Sequence, residues 1–103
     1  MEVSVVANDD QVRIGIVGNI DERGAEEVKR RFLDLDLASY KQVVLDFSGV
    51  TFIGSSGIGK LLLLYKNLAP HGGTVRIDNM PKDIYNMFKV VKLDKILKIS
   101  LAP

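Results

Sequence analysis

An α/β fold with a mixed β-sheet is the expectation from three features of the chain. Apolar and polar residues alternate over residues 11–16, the period of a strand with one buried face. A near-continuous apolar run, rich in valine, follows at residues 42–47. Between and after these runs, apolar residues recur at helical spacing with short connections, so strands alternate with helices in βα units and right-handed crossovers.

In order, Val3 and Val5 pair with Val12, Ile14 and Ile16 in an N-terminal β-hairpin, with turn chemistry supplied by Asn8-Asp9-Asp10. Gly18 is expected to break the second strand. Asp21 is placed to cap a first helix whose Ala25, Val28 and Phe32 face inward, with Glu26 and Arg30, and Glu27 and Arg31, paired four residues apart. Gln42 to Phe47 predicts a central strand covered on both faces. A second helix follows Ser55 and Ser56, and a helical wheel puts Ile58, Leu61, Leu62, Tyr65, Leu68 and Ala69 inward, with Lys60, Leu63 and Asn67 on the other face. Pro70-His71-Gly72-Gly73 ends it. Thr74 to Asp78 is the next strand. Pro81 opens a third helix with Ile84, Met87, Phe88 and Val91 inward, and Ile96 to Leu101 supplies a last strand. Val43, Val44, Leu45, Leu61, Leu62, Tyr65, Ile77 and Phe88 are expected to be buried.

The 103 residues are expected to form one domain, 1–103, which at that size buries roughly 65% of its unfolded surface. With 47% hydrophobic and 26% charged residues, the composition is that of an ordinary globular protein. The absence of cysteine excludes disulfides, thiol catalysis and thiolate metal sites. With no signal-peptide pattern at Met-Glu-Val-Ser-Val-Val and no membrane-length apolar run, a cytoplasmic protein is expected. A net charge of +1 argues against electrostatically driven nucleic-acid binding. The local imbalance of Lys82, Lys89, Lys92, Lys95 and Lys98 against Asp83 and Asp94 reads as a solvated helix face in preference to an anion-binding patch.

No enzyme chemistry, cofactor or metal site is expected. His71 is the only histidine available as a catalytic base and stands in a glycine-rich turn. Neither Ser55 nor Ser56 fits a nucleophile elbow, and Gly57-Ile58-Gly59 does not continue into a dinucleotide fingerprint. Asp46 and Asp78 read as strand-terminating turn residues in preference to metal ligands. By residue chemistry alone, a serine before an apolar helix is an N-cap more often than a reactive group.

Val44-Leu45-Asp46-Phe47-Ser48-Gly49-Val50, followed by Phe52-Ile53-Gly54-Ser55-Ser56-Gly57-Ile58-Gly59, resembles the signature of STAS domains, specifically bacterial anti-sigma-factor antagonists. Gly18-Asn19-Ile20-Asp21 and Leu93-Asp94-Lys95-Ile96 add to the likeness, which spans nearly the whole chain. The resemblance implies a single compact STAS-type domain, an ATP-dependent serine kinase that doubles as an anti-sigma factor as partner, and a phosphatase that resets the switch. It makes Ser56 the phosphoacceptor. Phosphate adds roughly −1.5 to −2 charges to a contact surface and thereby ends binding. Leu63, out of pattern on the wheel, is expected to join Ser55, Ser56, Gly57 and Lys60 as a partner contact, with Asp21 and Gly54 counted in the same surface. Where the family has an aspartate before the serine pair, this chain has Gly54. Two alternatives therefore stand beside the phosphorylation switch. One is a phosphorylation-independent STAS module in a signalling assembly or lipid-transport ABC system. The other is a nucleotide-binding STAS domain using the same helix terminus as an anion site.

Overall fold

The computed structural model describes residues 1–36 and 39–103. Five strands form one sheet in sequence order: β1 (Glu2–Ala7), β2 (Gln11–Ile20), β3 (Gln42–Ile53), β4 (Thr74–Met80) and β5 (Lys98–Leu101). The β1–β2 hairpin is antiparallel and every later pairing is parallel, so the sheet is mixed as expected. Helices α1 (Glu22–Leu33), α2 (Ser55–Leu68) and α3 (Lys82–Val90) follow β2, β3 and β4. Each of those strands delivers its helix at the same, carboxyl edge of the sheet, and three helix N-termini gather there.

Period-two alternation sends Val12, Ile14, Ile16, Val43, Leu45, Phe47, Val75 and Ile77 to one face. There they form one core with Ala25, Val28 and Phe32 of α1, Leu61, Leu64 and Leu68 of α2, and Ile84 and Phe88 of α3. The helices cover that face alone. Val44 is nevertheless fully buried, flanked in register by Arg13 and Arg76 on the opposite face. β3 is thus a central strand covered on both faces, as expected, but by different means: long arginine stems do on one side what helices do on the other.

Gly18 does not break β2. It has φ +112° and sits at a register irregularity, and a Cβ there would lie 3.1 Å from the Met1 Cα. Two such irregularities let the 12 residues of β3 pair alongside the 10 of β2, so β3 runs past Phe47 to the serine pair. Asp46 is consequently inside its strand, not at its end.

On α2 the buried residues are Gly57, Leu61, Leu64 and Leu68. Leu62 is half-buried, and Tyr65 is exposed at 38%. The wheel was rotated by about one position because the tightest contact is made by Gly57, a residue that carries no hydrophobic signal. On α3, Ile84 and Phe88 point inward, but Val91 lies beyond the last helical turn and is exposed. On α1 the ion pair formed is Glu27 with Arg30, while Arg31 donates to the Val3 carbonyl at 3.4 Å.

Candidate functional site

Asp21 caps α1, its carboxylate accepting from the Gly24 N–H at 2.8 Å. One strand over, Gly54 occupies the equivalent position for α2, and its N–H donates to the Ile20 carbonyl at 3.0 Å, so the two helix starts stand side by side. Gly54 has φ −96° and ψ −178°, extended backbone open to any residue, and offers no side-chain cap. No acidic residue follows in the first turn of α2. The helix therefore begins with N–H groups that no carboxylate satisfies and with the positive end of its dipole unopposed by side-chain charge.

Ser55 and Ser56 are the first two helical residues, and both are exposed. Gly57 is turned the other way. A Cβ on it would lie 2.7 Å from both the Ile20 Cγ2 and the Ile53 Cγ1, so it is the residue that lets α2 sit close to the strand ends. Gly57 thus has a packing part. Leu63 is exposed at 40%, out of the core as the wheel predicts. Lys60 reaches across to α1 and pairs with Glu26 at 3.2 Å, which ties it to α1. Asp21 is exposed, with one carboxylate oxygen occupied by the cap.

Phe52 was missed by pattern reading. It is 51% exposed at the end of β3, and its ring edge lies 3.4 Å from where a Gly54 Cβ would stand. The signal was available: alternation in β3 puts Phe52 on the face opposite to Ile53, where no helix covers it.

His71 lies at the far end of α2, in the 3-10 turn Ala69–His71. Fourteen helical residues span about 21 Å, so this imidazole is no base for either serine. A depression of about 600 Å³ opens beside the start of α1, lined by Asn19, Asp21, Arg23, Glu27 and Thr51. Two carboxylates against one guanidinium suit it poorly to a nucleotide phosphate. Among the described residues there is no acidic or histidine cluster that could hold a metal, and no helix is long and apolar enough to cross a membrane.

Asp46 and Asp78 lie on the open face of the sheet. Arg13 bridges them at 3.4 and 3.5 Å, Arg76 holds Asp78 at 2.8 Å, and Asn79 donates to Asp46 at 3.3 Å. Burial raises the Asp46 carboxyl, but hydrogen bonds from Ser48 and Asn79 and the charge of Arg13 outweigh it and hold Asp46 below the ordinary carboxylate range. Asp78 is likewise raised by burial and more strongly lowered by Arg76, Ser100 and Arg13. These carboxylates fasten four strands together from within their strands, which corrects the expectation of strand-terminating turn residues.

The hairpin, the three βα units and the five-stranded mixed sheet define a two-layer α/β domain of the STAS class. The chain belongs to the STAS domain family: the family model described as Mlab, STAS domain, matches residues 3–99. It is similar to the anti-sigma-B factor antagonist of Bacillus subtilis (strain 168), with 22% identity over 100 residues, covering 97% of this chain and 91% of the relative. An anti-sigma factor antagonist from Mycobacterium paratuberculosis has the same fold, with a TM-score of 0.83 at 22% identity over 95% of this chain and 83% of that one. So does the Bacillus cell fate determinant SpoIIAA in its phosphorylated form, with a TM-score of 0.74 at 17% identity over 96% and 91% of the two chains.

Proposed function

We propose that this protein is an anti-sigma-factor antagonist. In this reading the start of α2 binds an anti-sigma factor with serine kinase activity, phosphorylation of Ser56 switches that binding off, and a phosphatase restores it. The observation that carries the reading is the exposed Ser55-Ser56 pair in the first turn of α2, at the carboxyl edge of the sheet. The Bacillus subtilis relative, itself named an antagonist of anti-sigma-B factor, supports the partner class. A fold shared with a phosphorylated determinant supports the switch.

The chemistry is self-consistent. A phosphate on Ser56 is compatible with the fold, because helix N-termini favour negative charge and supply N–H donors. Its cost falls on the complex, where added charge and hydration must be stripped from the contact surface. The exposed serines lie at the centre of the proposed contact, with the exposed Leu63 further along α2, and with Asp21 and Lys60 each held by its own partner.

One specific observation favours a second reading, a phosphorylation-independent STAS module in a signalling or lipid-transport assembly. Gly54 leaves no carboxylate to orient a serine hydroxyl. Intact mass after incubation with the anti-sigma kinase and ATP decides between them. The switch expects one phosphate on the wild type and none on Ser56→Ala. An unmodified wild type that still binds the partner supports the second reading.

A further inference from the structure

The chain from Lys89 to Lys98 combines exposed aliphatic side chains with cations in a way the sequence pattern alone does not show. Val90 is 79% exposed, the most exposed of the large hydrophobic residues among those described, and Val91 and Ile96 are also exposed. Between and beside them stand Lys89, Lys92, Lys95 and Lys98, all exposed. Among the described residues, Lys89 alone of the four is ion-paired, with Asp94 at 3.7 Å.

The turn is held in shape from below. Leu93 and Leu97 are buried in the core, and the backbone closes on itself through Val91 N–H to Met87, Lys92 N–H to Lys89, Lys95 N–H to Lys92 and Leu97 N–H to Leu93. Lys92 takes φ +63° to make the reversal between α3 and the 3-10 turn Leu93–Lys95. Three branched apolar side chains are therefore exposed along a firmly held turn that also carries four exposed lysines.

We propose that this turn docks the protein onto an anionic lipid bilayer surface. Charge complementarity selects the partner class: residues 89–98 hold four lysines against one aspartate in a molecule whose net charge is only +1. The residue types select lipid over an acidic protein. Protein interfaces are depleted in lysine and enriched in aromatics and arginine, and none of those enriched types stands on this turn. Lysines interspersed with exposed aliphatic side chains suit a headgroup region, where the aliphatic tips enter the acyl boundary and the ammonium groups stay among the phosphates.

Because α3 starts at the carboxyl edge of the sheet and ends where β5 begins, the turn lies at the opposite edge from Ser55 and Ser56. A bilayer-bound molecule keeps its serine edge facing the solvent.

The test is co-sedimentation of the full chain with phosphatidylcholine vesicles, with and without about 30 mol% phosphatidylglycerol. Binding is expected only to the anionic vesicles and is expected to fall about tenfold in about 0.5 M salt, where exposed charges are screened. Lys92→Gln/Lys95→Gln/Lys98→Gln and, separately, Val90→Ser/Val91→Ser should each weaken it by about tenfold or more with unchanged melting temperatures, since all these side chains are exposed. Ser56→Asp, at the other edge, should bind vesicles as the wild type does. Absence of anionic-vesicle binding, or wild-type binding by either multiple variant, overturns the proposal. So does capture of poly-glutamate in place of vesicles, which would assign the turn to an acidic protein.

Discussion

Gly54 decides two properties of the helix start at once. Its φ of −96° is accessible to every L-residue, so replacing it by aspartate imposes no backbone strain. A hypothetical Cβ meets only the Phe52 ring, at 3.4–3.5 Å, an ordinary contact. Gly54→Asp is therefore expected to fold, to gain a few tenths of a kcal/mol from capping relative to glycine, and to be phosphorylated faster at Ser56 because the carboxylate can accept the serine hydroxyl. Kinase rate constants and melting curves of the two proteins check this; a stable, wholly unmodified Gly54→Asp protein favours the phosphorylation-independent module. Three positions on, the same kind of residue behaves oppositely. Gly57→Ala places a methyl 2.7 Å from Ile20 and Ile53 and is expected to cost about 1–3 kcal/mol by forcing α2 away from the strand ends. An unchanged denaturation midpoint would contradict that packing argument.

At the scale of the element, α2 shows where sequence patterning stops. Its boundaries, its start at the serines and the exposure of Leu63 are legible from residue order, because Ser, Gly and Pro punctuate the chain and a lone leucine among polar residues stands out. Its rotation is not. Leu61, Leu62, Leu63 and Leu64 are four adjacent identical residues, so the wheel has nothing to distinguish them except their neighbours. The deciding contact is the bare Gly57 backbone against Ile20, which comes from another element. Leu64→Ala is accordingly expected to cost about 2–5 kcal/mol and Leu62→Ala distinctly less, since Leu64 is buried and Leu62 is only half so. Equal losses in urea denaturation would return α2 to the rotation the wheel favours. Leu63→Glu should leave melting nearly unchanged and weaken partner binding by about 1 kcal/mol or more, read by titration with the anti-sigma factor.

For the whole molecule, the mixed sheet and the βα succession follow from periodicity, but the one-sided helix layer does not. Val44 is apolar, like the residues that face the helices, and only cross-strand register reveals that arginines flank it. That open face makes stability depend on acid. Asp46 and Asp78 titrate below the ordinary carboxylate range in the folded chain. Their contribution is therefore present above the unfolded pKa of about 4 and is lost as pH falls through the folded values. Melting temperature should drop on acidification below pH about 4, and Asp46→Asn/Asp78→Asn should flatten that slope; parallel slopes would remove these groups from the account. At this same scale the proposed switch makes Ser56, at the edge where the helix N-termini gather, a control point for association. Calorimetric titration of unmodified and Ser56-phosphorylated protein with the anti-sigma kinase tests that claim most directly. The account predicts affinity at least about tenfold weaker for the phosphorylated protein, and equal affinity of the two forms would contradict it.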